Sequence, residues 1–313
     1  MKQSTKQILE RQHYRINGDS AIQICRWTKK ALMNEGFCYK QKFYGIQSHR
    51  CCQMSPCAMS CQNQCLHCWR PIELNEGIKL KNAEKPEKII EDCIEMQRKL
   101  LMGFKGHPKV TLAKFNEAMN PNQFAISLSG EPTLYPYLGD LIEELRKRKI
   151  TSFLVTNGLN PEVLEKLNKN NQLPTQLYLS VNAPNKELFN KIVRSKLKNA
   201  WQIYMKTIKL FSKLKCRKVM RFTLVKDLNM CCLEDYANLI NISKPNFIEI
   251  KGFMSVGFSR QRLGYERMPF HEDILKFSRE LARLSGLRIL DEKKESRVVL
   301  LGKDKDKMKI KSC

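Results

Sequence analysis

Three cysteines within eight residues, Cys61, Cys65 and Cys68 in the run CQNQCLHC, constrain this chain more than any other feature. Three thiols this close in one loop are placed to serve a shared centre. Soft thiolates at this spacing suit three irons of a four-iron cluster, leaving the fourth iron without a protein ligand and open to chemistry. Zinc competes, although structural zinc sites usually pair two short knuckles across a longer gap. A third reading treats the cysteines as small buried residues. The 13 cysteines are odd in number, the Met1-Lys2-Gln3 start carries no secretory pattern, and no apolar run has the length of a membrane span. The expectation is a cytoplasmic protein whose thiols serve metal or redox chemistry instead of disulfides.

Lysine and arginine outnumber aspartate and glutamate 56 to 31, a formal charge of +25. Such a surface attracts polyanions: RNA, DNA or an acidic membrane. Basic residues recur at 146–149, 206–218 and 303–311 without a lysine-rich amphipathic helix, which favours nucleic acid over membrane. Solvated lysine faces account for part of the excess.

With 313 residues and 42% hydrophobic content, the chain is long enough for one large domain, preferred here over two small ones. Beyond the cysteine loop, short apolar runs alternate with helical patterns, the rhythm of βα units on a mostly parallel sheet. Strands are expected at 48–54, 124–128, 152–155, 177–181, 219–225 and 247–251. Helices are expected at 86–101, 138–147, 161–168, 186–193, 200–214, 233–242 and 271–284. Six such units predict an α/β fold, a complete or partial TIM-like barrel with its active site at the C-terminal ends of the strands. Those ends carry polar turns: Ser129-Gly130-Glu131-Pro132, Thr156-Asn157-Gly158 and Asn182-Ala183-Pro184. Turn chemistry alone explains many of these residues, but less readily Glu131, a carboxylate beside a cluster loop. The highly charged end from residue 291 to 313 is expected to be separable.

Cys25, Cys38 and Cys51 form a second, evenly spaced set with twelve residues between neighbours. Spacing alone does not separate a second metal site from buried cysteines. Beside them lies Lys40, within a stretch dense in lysine and aromatics. A desolvated lysine can attack a carbonyl to form an imine, whereas an ordinary one is an exposed cation.

The CxxxCxxC loop, the acidic SGEP turn and the polar strand ends together resemble the radical S-adenosylmethionine enzymes. More narrowly, the second cysteine set, the segment Phe43-Tyr44-Gly45-Ile46-Gln47-Ser48-His49-Arg50-Cys51, the Cys68-Trp69-Arg70-Pro71 ending and the loop from Lys251-Gly252-Phe253 to Arg260 resemble the archaeal-type tRNA 4-demethylwyosine synthases of the wybutosine pathway. The resemblance spans roughly residues 20 to 290. Three features depart from it: Ser129-Gly130 stands for a glycine pair, His67 stands for an aromatic before the third cysteine, and the flavodoxin-like domain of eukaryotic members is absent.

The resemblance implies an incomplete (β/α)6 barrel at 48–290, an N-terminal extension at 1–47 carrying two ligands of a second cluster, and a charged tail. It implies two 4Fe-4S clusters, one on Cys61, Cys65 and Cys68 that binds S-adenosylmethionine and one on Cys25, Cys38 and Cys51. Ser129, Gly130 and Glu131 would hold the ammonium group of S-adenosylmethionine, with Thr156, Asn157, Ser180 and Asn182 on its carboxylate and ribose. The implied reaction is that of a lyase joining N1-methylguanosine at position 37 of tRNA(Phe) to pyruvate, using a 5′-deoxyadenosyl radical and a ferredoxin- or flavodoxin-type electron donor. Lys40 would hold pyruvate as an imine or act as acid and base; alternatively the second cluster chelates pyruvate and Lys40 acts electrostatically. Phe253, Phe258, Arg260, Arg262, Tyr265 and Arg267 are the RNA-binding candidates, with core packing an alternative for the phenylalanines. A monomer without membrane association is expected. A radical enzyme acting on another RNA or on a protein, and a zinc-stabilised RNA-binding protein, are the other readings.

Overall fold

Apolar runs in chain order become the strands of one ten-stranded sheet. The strands are β1 (Arg15–Asn17), β2 (Ser20–Ile22), β3 (Cys51–Ser55), β4 (Gln123–Ile126), β5 (Thr151–Thr156), β6 (Gln176–Val181), β7 (Arg217–Leu224), β8 (Phe247–Gly252), β9 (Arg288–Lys293) and β10 (Val298–Gly302). These come from a computed structural model that describes residues 2–78, 80 and 83–310. The longer helices are α1 (Gln3–Arg11), α2 (Arg26–Leu32), α3 (Tyr39–Tyr44), α4 (Pro86–Leu101), α5 (Leu112–Ala118), α6 (Leu138–Lys147), α7 (Pro161–Lys169), α8 (Lys186–Val193), α9 (Ala200–Phe211), α10 (Leu233–Ser243) and α11 (His271–Ser285).

From β3 to β8 the strands pair in parallel and in sequence, Cys51 opposite Gln123 and Gln123 opposite Thr151, with helical connections between them. This is six βα units of a barrel that does not close. The hairpin β1–β2 lies antiparallel against β3 at one edge, and β10 then β9 lie antiparallel beyond β8 at the other. Side chains alternate between the two faces. Leu177, Leu179 and Val181 of β6 pack beneath the helices, with Ile274, Phe277 and Leu281 from the apolar stripe of α11 in the same core. Tyr178 points to the concave side, where it joins Phe153, Val219, Phe247, Val298 and Leu300. The helices end where local chemistry dictates: Pro86 occupies the first turn of α4, and Gly286 takes the left-handed conformation, φ +65°, that closes α11.

The open side of the barrel is covered by residues 26–44. Tyr39, Phe43 and Tyr44 of α3 fill the concave core. Lys42 reaches across to Asp291 at 2.8 Å, Ile310 N–H donates to the Tyr44 carbonyl, and Ser48 Oγ accepts from Cys38 N–H. The chain's charged end is therefore not separable: a boundary at 291 falls within β9, and Val298–Gly302 is a fully buried strand between β8 and β9. Five apolar residues between charged runs vanish in a composition average but suffice for a strand. Among the described residues, no helix is long and apolar enough to cross a membrane.

Candidate active site

Each thiol of the first set sits in the loop that follows β3, at the C-terminal ends of the strands. Asn75 shapes this loop, accepting from Cys61 N–H at 3.3 Å and donating to the Cys61 carbonyl at 2.8 Å. Asn63 N–H and Asn157 Nδ2 approach Cys61 Sγ at 3.4 and 3.7 Å, the kind of sulfur-directed donor that stabilises a thiolate ligand. Burial pushes the Cys61 thiol up to about 12 and raises Cys65 and Cys68 as well, while Arg262 counters at the latter two. Thiols so desolvated ionise when a metal takes the proton's place. Among the described residues, no group of three His, Cys, Asp or Glu side chains is close enough to hold a single ion. Both the donor set and its N–H partners fit a cluster whose corners each take one thiolate.

Gly130 and Glu131 fasten the next strand end to this loop. Gly130 has φ +72°, and a Cβ there would stand 2.1 Å from the Cys57 carbonyl oxygen and 2.7 Å from that of Ser60. Only glycine allows the approach, which brings Glu131 N–H to the Ser60 carbonyl at 2.7 Å and Cys57 Sγ to the Glu131 carbonyl at 3.0 Å. Ser129 is buried, with Oγ near Met59 N–H.

The carboxylate of Glu131 sits in a dense network of donors. It is 2% exposed and turned into the protein. Its Oε1 accepts from Thr133 N–H, Thr133 Oγ1 at 2.7 Å and Thr156 Oγ1 at 2.6 Å, and its Oε2 accepts from Asn157 N–H at 2.7 Å. Desolvation by burial raises its pKa against those bonds. With four donors in place it staples the ends of β4 and β5 together, and its charge lies close enough to Cys61 to help raise that thiol. Thr156 is spent on the same staple. Asn157 remains at the site, bonded to Gln62 at 3.1 Å beside Cys61. Ser180 and Asn182 use their carbonyls to receive Tyr204 and Asn229; their side chains make no hydrogen bond among the described residues.

The second thiol set converges from three elements. Cys25 and Cys38 immediately precede α2 and α3 with extended backbone and cap neither helix, and Cys51 opens β3. The three thiols lie within electrostatic reach of one another, and Cys38 and Cys51 within reach of Lys40. Burial raises Cys38 to about 11 and Cys51 to about 12. Cys52 cannot replace its neighbour, since it packs beneath the helices on the opposite face with Cys93. Cys313 lies outside the described residues.

Lys40 is not an exposed cation. It is 8% exposed, with Nζ 4.5 Å from the centre of the Tyr178 ring and 5.0 Å from that of Phe153. Burial, then the nearby Arg221, lowers its pKa; Glu249, Cys38 and Cys51 act the other way. The centre of the surrounding polar network lies outside the residues that the motifs single out. Glu249, fully buried on β8, accepts from Tyr39 Oη at 2.8 Å and Tyr44 Oη at 2.7 Å and faces Arg221 Nε at 3.8 Å. Lys251 Nζ donates to the Ser296 carbonyl at 2.6 Å, and burial brings its pKa down to about 8. The signal lay in the strands MRFTL and IEIKG, where charged residues alternate with apolar ones inside otherwise apolar runs.

The RNA-binding candidates divide. Phe253 is 2% exposed and belongs to the packing. Arg262 is a clamp on the cluster loop, donating to the carbonyls of Leu66, Cys68 and Arg70 and to Glu73 Oε1 at 2.6 Å. Arg267 bonds the Lys226 and Asp227 carbonyls. Arg260 and Tyr265 are exposed, the guanidinium 5.8 Å from the ring, and Phe258 is half-buried.

Residues 57–240 match the family model of the radical SAM superfamily, and residues 242–303 match that of wyosine base formation. The S-adenosyl-L-methionine-dependent tRNA 4-demethylwyosine synthase of Pyrococcus abyssi is 48% identical over 97% of this chain and 90% of its own length. A structure of TYW1 with a lysine–pyruvate adduct bound superposes with a TM-score of 0.88 at 36% identity, covering 99% of this chain and 98% of that one. The crystal structure of archaeal TYW1 gives 0.81 at 33% identity, covering 99% and 100%. A cluster loop at the strand ends, an open six-unit barrel and matches over nearly the whole length agree: the chain belongs to the radical SAM superfamily and, within it, to the tRNA 4-demethylwyosine synthases.

Proposed function

We propose that this chain joins N1-methylguanosine at position 37 of tRNA(Phe) to C2 and C3 of pyruvate, breaking the bond to the pyruvate carboxylate, which leaves, and closing the ring of tricyclic 4-demethylwyosine, a carbon–carbon lyase reaction. The observation that carries the reading is Lys40, an amine buried on the concave side of the barrel with a lowered pKa, beside Cys38 and Cys51. An amine attacks a carbonyl only when neutral, and burial favours that form. Lys40 Nζ bonds to C2 of pyruvate and the carbonyl oxygen leaves as water, so the lysine holds the substrate by an imine. The related structure with a lysine–pyruvate adduct supports this role. Tyr178 and Phe153 wall the amine from water.

When bound, S-adenosylmethionine and the cluster on Cys61, Cys65 and Cys68 supply the 5′-deoxyadenosyl radical that takes a hydrogen from the N1-methyl group. Cys25, Cys38 and Cys51 hold a second four-iron cluster in this reading. Asn157, Ser180 and Asn182, with the Ser129-Gly130 backbone, line the place of S-adenosylmethionine, while Arg260, Tyr265 and Phe258 serve the RNA. An external low-potential donor of ferredoxin or flavodoxin type supplies the electron, and the protein acts as a cytoplasmic monomer.

The test is borohydride reduction in the presence of pyruvate, followed by peptide mass analysis. The expected result is a reduced pyruvate adduct on Lys40, absent from Lys40→Arg, with product formation lost in that variant. Full product formation by Lys40→Ala would remove the imine.

A further inference from the structure

Trp69, the residue after Cys68, is a large aromatic left 39% exposed on a rim whose other members are fixed. Its carbonyl accepts from Phe258 N–H at 3.1 Å, and Gly257, φ +57°, comes so close that a Cβ there would lie 2.5 Å from the Trp69 oxygen. One face of the indole is covered: the Arg70 guanidinium carbon lies 3.1 Å from the ring centre, with the Tyr14 ring 4.9 Å away from the same guanidinium. Arg70 is 4% exposed, and none of its three side-chain nitrogens has a hydrogen-bond partner among the described residues. The guanidinium thus acts as a backing plate for the indole.

Two cavities meet at Trp69. One, of about 530 Å³, is lined by Gln23, Cys25, Gln53 and Trp69, with Arg26, Lys29 and Glu35 also on its wall. The other, of about 380 Å³, shares Gln23 and Trp69 and continues to Val256, Phe258 and Gln261. The first is large enough for one nucleotide. Arg26 and Lys29 make no ion pair among the described residues, and the carboxylate on the same wall, Glu35, is held by Lys109 at 2.5 Å, so the cavity keeps a positive balance.

We propose that Trp69 is the platform on which the target purine of the RNA stacks once it leaves its own stack, with Arg26 and Lys29 holding its phosphate. This rests on the reading of the site given above. A base acted on by a buried centre has to be extruded, and an extruded base is held by stacking on an aromatic face. A guanine methylated at N1 has lost its pairing edge, so stacking carries more of its recognition. The indole directly follows a ligand of the first set in the chain and lines the cavity that also carries Cys25.

The experiment uses the holoenzyme with reconstituted clusters and compares Trp69→Ala, Trp69→Leu and Trp69→Phe. The KM for tRNA is read against uncoupled cleavage of S-adenosylmethionine in the same preparation. Loss of one base stack weakens binding by about 5- to 150-fold. The expected order is a large rise in KM for Ala and Leu and a small one for Phe, beyond any change in cleavage. In a Trp27→Phe, Trp201→Phe background, an anticodon stem-loop carrying N1-methylguanosine should quench the remaining indole. Arg26→Ala should lower the salt dependence of tRNA binding by about one ion. An unchanged KM in Trp69→Ala, a loss shared equally by cleavage and KM in all three variants, or no quenching would overturn the platform. Absence of tricyclic product from the wild type, with quenching intact, would instead overturn the reading of the reaction.

Discussion

Replacing Glu131 by glutamine separates two roles for the acidic turn. In the structure the carboxylate receives four hydrogen bonds, three on Oε1 and one on Oε2. Bonds to a charged acceptor contribute roughly 1.5–3 kcal/mol each and neutral ones about 0.5–1.5. Glutamine keeps the three on its carbonyl oxygen in weakened form and turns an NH2 group toward Asn157 N–H, leaving that buried donor unpaired at about 1–3 kcal/mol. Relief of the buried charge, whose cost is visible in the raised pKa, offsets part of this. The net loss is about 2–4 kcal/mol. Unfolding entropy of about 2.1 cal/mol/K per residue turns this into a fall in Tm of roughly 3–6 °C for 313 residues. Thermal unfolding of the reconstituted protein, with iron retention and the KM for S-adenosylmethionine, checks it. The staple predicts a lower Tm and faster iron loss, with the KM of the loaded fraction within about threefold of wild type. An unchanged Tm with a KM raised tenfold or more would refute the argument and return the carboxylate to the ammonium group.

Two further substitutions test the same scaffold. Gly130→Ala forces a side chain into the left-handed region and against two carbonyl oxygens, which costs about 2–5 kcal/mol; loss of soluble protein or of iron at the first site is expected, and wild-type iron content with wild-type Tm would contradict it. Arg262→Leu strips three loop carbonyls and Glu73 of their donor. Faster iron release to a chelator should precede any change in tRNA affinity, at about 2–4 kcal/mol of stability, and weakened tRNA binding with unchanged iron retention would restore its RNA-binding role.

Periodicity located the barrel well because a strand buried beneath helices has to be apolar. The parallel strands β4 to β8 lie within two residues of their expected starts and within two of their expected ends, and α4, α6 and α8 have the expected limits. Near the cysteines it failed. The hairpin β1–β2 and the helices α2 and α3 are too short to show a period, and their stability comes from closing the barrel's open side. Strand β10 hid among charges, although its five residues are wholly buried. Residue type identified Glu131 as important, but type could not show which way the carboxylate turns: the nearby threonines that bind it, Thr133 and Thr156, are ordinary in composition. The partners of Arg262 were hidden for the same reason, because an arginine in a basic loop reads as a phosphate ligand until its carbonyl acceptors appear.

The two thiol sets differ in what has to fold before they exist. Cys61, Cys65 and Cys68 belong to one loop, preshaped by Asn75 and by the Gly130 turn, so a first cluster needs only the local chain and its neighbouring strand end. Cys25, Cys38 and Cys51 come from the starts of three elements, and α3 reaches its place only by filling the concave core and bonding Glu249 on β8 and Asp291 on β9. The same helix carries Lys40. On the reading proposed here, the segment that closes the barrel's open side therefore completes the second site and sets the lysine in its dry position in one step. Binding of a second cluster then stabilises the closed barrel by linkage, because its three ligands are together only in that state. Covering an otherwise solvated core with the element that bears the amine explains why the lysine sits on a six-residue helix, too short to persist alone, and not on a strand of the barrel.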